Sequence, residues 1–119
     1  MSYIDFVSIP LPEQHVDEYT KQIEIFASVM KANGVLSYCE ARADDVARGK
    51  VTDWYRSVDC KDGETVVVAY MKWADKATRD KGWEEVMKDP RLADMMNPEK
   101  SLMDGKRMIW GGFSPLVEF

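Results

Sequence analysis

Charged and polar side chains set inside apolar, strand-like runs are the positions in this 119-residue chain where chemistry can be done. Asp5 interrupts the run Tyr3-Ile4-Asp5-Phe6-Val7, and Glu40 follows Tyr38-Cys39. Arg42, Tyr70, Arg107 and Trp110 stand in or beside other apolar segments. A charge so placed faces water, pairs with an opposite charge, or works in a pocket. Burial of an unpaired carboxylate raises its pKa and suits it to accept or donate a proton. Asp5, Glu40, Arg42, Tyr70, Arg107 and Trp110 are therefore the candidate ligand-binding residues, and no catalytic residue can be assigned. For Asp5 the competing expectation is a structural ion pair with Lys106 or Arg107 on a neighbouring strand.

Other reaction classes find little support. His15 is the only histidine, whereas zinc and most catalytic transition-metal sites draw on several His or Cys ligands at short spacing. No metal and no cofactor are expected. A nucleophile needs a base beside it, and no Gly-x-Ser-x-Gly elbow is present. Cys39 would be reactive if a cation such as Arg42 lowered its pKa, but a buried, inert thiol is the expectation. Gly111-Gly112 lacks the Lys-Ser/Thr of a phosphate loop and marks a bulge or a close approach in a strand. Four tryptophans and eight methionines suit core and interface filling, or the lining of an apolar cavity.

The elements that must position these residues follow from periodicity. Residues 3–9 read as a strand closed by Pro10 and Pro12. Val16, Tyr19, Ile23, Phe26, Ala27 and Met30 form one stripe of a helix that Asn33-Gly34 stops. Residues 35–41 give a second strand, and 51–58 a further extended piece. Lys61-Asp62-Gly63 then turns the chain into the strongest strand, 65–73, as an antiparallel hairpin. Asp75 caps a helix running to about Lys88, with Trp83, Val86 and Met87 on its inner face and Pro90 ending it. A short helical turn at 92–96 and a last strand at 107–113 complete the chain.

The order is that of the α+β, ferredoxin-like βαββαβ plait: a four-stranded antiparallel sheet with two helices on one face. Residues 1–119 read as a single domain. Both parities of 65–73 carry large apolar side chains, so the uncovered sheet face needs a cover, and a face-to-face homodimer supplies one. A net charge of −5 argues against nucleic-acid binding. No apolar stretch approaches the roughly 20 residues of a membrane helix, and two cysteines without a Cys-x-x-Cys pair suit a cytoplasmic protein with free thiols.

Tyr3 and Asp5, Val51-Thr52-Asp53, and Asp104-Gly105-Lys106-Arg107-Met108 together resemble the YbaA-like family of small bacterial proteins. The resemblance runs nearly end to end and implies a dimeric α/β-barrel. Phe6, Trp54-Tyr55 and Met103 depart from the family's usual residues, and Phe6 is positioned to close a family pocket. The expected function is binding of a small apolar or aromatic molecule between sheet and helices. A non-catalytic structural or interaction module is the alternative. Similar dimeric barrels include cofactor-independent oxygenases and isomerases, which adds an enzymatic alternative by fold analogy.

Overall fold

The computed structural model describes residues 1–119. Four strands form one antiparallel sheet in the order β2-β3-β1-β4: β1 (Tyr3–Pro12), β2 (Ser37–Arg42), β3 (Glu64–Trp73) and β4 (Ile109–Phe113). Helices α1 (Val16–Ala32) and α3 (Lys76–Val86) carry the main crossings, and short helices α2 (Trp54–Ser57) and α4 (Ala93–Met96) lie in the links. This is the expected α+β plait, open on one sheet face. β1 is central, so Asp5 sits in the middle of the sheet, opposite Met71 on one side and Gly112 on the other. The β4 pairing ends at Ser8, and beyond it β1 has a partner on one side only. There the strand continues through Pro10 and Pro12.

Local signals set most boundaries. Gly34, at φ +110°, takes a backbone conformation unfavourable to other residues and lets the Val35 N–H return to the Met30 carbonyl at 3.1 Å. The Asp75 carboxylate accepts the Thr78 N–H at 2.7 Å and starts α3. Two expectations fail. Residues 51–58 are not a strand: the Asp53 side chain accepts the Arg56 N–H at 2.8 Å and nucleates α2, so the cap outweighs the β-branched residues before it. The partner of β3 on that side is β2, reached through the long link between them. Arg107 likewise lies in a 3-10 turn whose Asp104 side chain accepts the Lys106 N–H at 3.0 Å, and the last strand begins only at Ile109.

Alternation along the strands divides the sheet. Val67, Ala69, Met71 and Trp73 face the helices; Val29, Met30, Val86 and Leu92 meet the last three in the main core, and Val67 packs with Ile9 and Leu11 in a second cluster. Val66, Val68, Tyr70 and Lys72 face the other way. One end of that outer face is buried, as Pro10 and Val66 show, with α2 against β3; the other end is bare. Trp73, wholly buried, is the largest core side chain, and α3 rests on it through Gly82. A Cβ at that position would press into the Trp73 ring and stand 2.8 Å from the Asn33 carbonyl oxygen. Gly82→Ala should therefore destabilise the fold by about 1–3 kcal/mol through overpacking, despite the better helix propensity of alanine, as urea unfolding will measure.

Candidate functional site

A cavity of about 590 Å³ opens between the sheet and the helices, with 12 of its 18 lining residues hydrophobic. Asp5, Val7 and Ile9 of β1, Glu40 of β2 and Met71 of β3 supply the sheet wall, all on the helix-facing parity. Tyr19, Gln22 and Phe26 line one side from α1, at helical spacing; Arg79 and Trp83 come from α3. Met87, Met95, Leu102, Met103 and Met108, from the chain beyond α3, close the remaining wall. Flexible thioethers give this wall an adaptable surface suited to flat, polarisable molecules.

Asp5 is 3% exposed and fully engaged. Its Oδ1 accepts Arg79 Nη2 at 2.8 Å and Nε at 3.1 Å, while Oδ2 accepts the indole N–H of Trp73 at 3.0 Å and of Trp83 at 2.8 Å. Those donors occupy the roughly four lone-pair sites of a carboxylate. The ion pair expected for Asp5 exists, but with Arg79 rather than Lys106 or Arg107, because α3 lies directly over the strand. The hydrogen bonds to Asp5 hold the Arg79 guanidinium above its already high pKa. Arg79 also pairs with Asp80 at 2.9 Å, so it offers no uncommitted positive charge to the cavity.

Glu40 differs. The Tyr19 hydroxyl donates to its Oε1 at 2.5 Å, the Tyr38 hydroxyl donates to its Oε2, and no cation offsets its charge. Burial pushes the Glu40 carboxyl above the usual carboxylate range, with the two tyrosines partly opposing the shift. Burial and then the Glu40 charge hold both tyrosine hydroxyls far above their usual value, which keeps them protonated donors. The cavity thus contains one carboxylate whose proton affinity is raised and whose partners are neutral.

Of the six residues singled out in the sequence, Asp5, Glu40 and Trp110 line this cavity together, Trp110 at its rim and 69% exposed. The other three lie elsewhere. Arg42 is exposed at the end of β2. Tyr70 is on the outer sheet face, its hydroxyl 3.1 Å from Ser37 Oγ. Arg107 forms a bidentate pair with Glu64 at 2.7 and 2.8 Å and reaches Asp104 at 3.1 Å. Phe6 points to the outer face, where its ring meets Phe113 edge-on at 5.2 Å, so it does not close the cavity. Cys39 is on that same face and exposed rather than buried. His15 is half-buried, with Nδ1 2.9 Å from the Leu102 carbonyl oxygen. No group of three or more His, Cys, Asp or Glu side chains comes together as a metal site.

Tyr19, Tyr38, Arg79 and Trp83 complete the site, though none was among the six. Tyr19 was visible as a member of the helical stripe, and Trp83 falls one turn after Arg79 on α3. Nothing in the sequence indicated that both would converge on strand carboxylates.

The sheet, its two covering helices and its open face define an α+β, ferredoxin-like protein. Residues 2–105 match the family described as protein of unknown function (DUF1428), and the chain belongs to that family. YbaA of Escherichia coli strain K12 is 34% identical over 118 residues, 99% of each chain. Among solved structures, a dimeric ferredoxin-like protein from an uncultured marine organism is similar with a TM-score of 0.63 at 13% identity, over 99% of this chain and 98% of that one. A variant of SnoaB, a cofactor-independent oxygenase from Streptomyces nogalater, is similar with a TM-score of 0.60 at 14% identity, over 98% and 95%. At such identities the likeness is one of fold.

Two measurements check the electrostatics. Arg79→Met, which leaves the Asp5 carboxylate buried without its cation, should cost about 3–5 kcal/mol in urea unfolding, far more than the loss of an exposed pair. The Arg107 hydrogen bonds lower the Glu64 pKa from 4.5 to about 2. That depression contributes stability above the unfolded value which is lost as pH falls toward about 2. Arg107→Met should lower stability at neutral and alkaline pH while changing it little near pH 2, so that the acid-side fall becomes shallower, as thermal unfolding across pH will record.

Proposed function

We propose that the protein binds a small, neutral apolar or aromatic molecule in the cavity between sheet and helices, and that it does so as a homodimer. The observation that carries the binding reading is the character of the cavity: its size lies within the range of small-molecule sites, its walls are mostly apolar, and its polar groups converge at Glu40 and Tyr19. Charge selects among ligands. Asp5, Glu40 and Asp80 stand against one committed cation, Arg79, so carboxylates and phosphates are disfavoured, while the mostly apolar lining makes any ligand charge costly to bury.

The dimer reading rests on the bare end of the outer sheet face. Phe6, Tyr70, Ile109, Phe113 and Trp54 are between 38% and 54% exposed there and border a second apolar hollow of about 590 Å³. A second copy of the chain presents the same patch, and two-fold packing of the sheets covers both at once. The fold's similarity to a dimeric ferredoxin-like protein agrees with this reading.

Native mass spectrometry of protein purified gently from its own host tests both parts. The expected result is twice the chain mass with additional mass that denaturation releases; a chain with nothing bound would count against the ligand, and a monomer against the dimer. Tyr70→Glu should shift the dimer to monomer in sedimentation at micromolar concentration by burying a charge at the seam, without emptying the cavity on the opposite face.

A further inference from the structure

We propose that Glu40 is a general base acting on neutral aromatic ketones with acidic α-hydrogens bound in the cavity, and that Tyr19 hydrogen-bonds the oxygen that gains charge. The inference rests on the binding reading above and adds an activity to it. Its starting point is an anomaly. Glu40 sits in a largely apolar wall with no cation beside it, in contrast to Asp5 a short distance along the same cavity. A structural role in holding Tyr19 and Tyr38 requires only a hydrogen-bonding group, and a neutral amide meets that need without the cost of burying a charge. The carboxylate is therefore better explained by what an ionisable group can do.

The arrangement assigns separate tasks to its two oxygens. Tyr38, which does not line the cavity, holds Oε2 and fixes the plane of the carboxylate. Oε1 receives only the Tyr19 hydroxyl, and Tyr19 does line the cavity, so a lone pair of Oε1 remains for a bound molecule. The same hydroxyl stands beside the position that an α-carbon must occupy to reach Oε1.

In the step itself, the bond from the ketone's α-carbon to hydrogen breaks and the proton passes to Glu40 Oε1. The electron pair forms a carbon–carbon double bond, and the carbonyl π pair moves to oxygen, giving an enolate. Once Glu40 is neutral, Tyr19 is freed to turn its hydroxyl onto the enolate oxygen. Reversal returns a proton from Glu40 to the same or a conjugated carbon, so exchange with solvent or isomerisation results, with no oxidant or cofactor consumed. The apolar wall of Met71, Met103, Met108 and Trp83 gives the aromatic ring a surface to pack against beside Glu40.

The test uses β-tetralone, a neutral bicyclic ketone with acidic α-hydrogens. Binding is read by quenching of tryptophan fluorescence, since Trp83 and Trp110 line the cavity. Proton transfer is read separately, as loss of the α-proton NMR signals in D2O. The wild-type protein should quench and should accelerate exchange by roughly 10²-fold or more over buffer. Glu40→Gln should bind with similar affinity yet exchange at the buffer rate, Glu40→Asp should retain partial activity, and Tyr19→Phe should bind but exchange more slowly. Binding without acceleration, or acceleration that survives Glu40→Gln, overturns the base while leaving the binding reading intact. Absence of quenching by the wild type overturns both.

Discussion

One buried carboxylate ties the layers of this fold together. Asp5 lies in the central strand, and all three of its donor groups come from elsewhere: the indole of Trp73 at the end of β3, and the guanidinium of Arg79 and the indole of Trp83 on α3. The connection fixes the height and rotation of α3 over the sheet more narrowly than apolar packing alone, because charge-assisted bonds are directional where hydrophobic contact is not. Gly82 on the same helix permits the close approach that these bonds require. Where α3 rests, the cavity wall follows, since Arg79 and Trp83 belong to both.

The contrast between Asp5 and Glu40 gives the cavity its chemistry. Each is a carboxylate on a strand, on the helix-facing side, in a mostly apolar setting. Asp5 is neutralised by a guanidinium and saturated with donors; it is a structural group. Glu40 is held by two phenols and left without a cation, so its charge is costly and its proton affinity rises. Two like groups in unlike surroundings are thereby separated into an anchor and a carboxylate of raised proton affinity. The division also places Glu40 where α1, through Tyr19, and β2 meet.

Much of the fold was legible in the sequence because its signals are local. The stripe on α1, the glycine stop, the Asp75 cap and the valine-rich β3 each specify their own element. The failures share a cause: at Asp53 and Asp104 a short polar side chain captured a backbone N–H and made a helical turn where β-branched or apolar neighbours suggested a strand. The site was less legible. Asp5 and Glu40 stood out as charges in apolar runs, but Tyr70 and Arg42 depend on strand parity and position, which a single-residue uncertainty in register inverts. Arg79 as the partner of Asp5 is a contact across 74 positions, with no local pattern to announce it.

Methionine methyl NMR reads directly whether the helix-side cavity takes a neutral aromatic molecule. Met71, Met87, Met95, Met103 and Met108 line the cavity, while Met1 is exposed and is not part of its lining. On titration with naphthalene derivatives, binding there should give saturable shifts of those cavity methyl resonances, ring-current in origin, with Met1 unmoved. Saturation without movement of the cavity methyls, or shifts confined to residues of the outer sheet face, would contradict it.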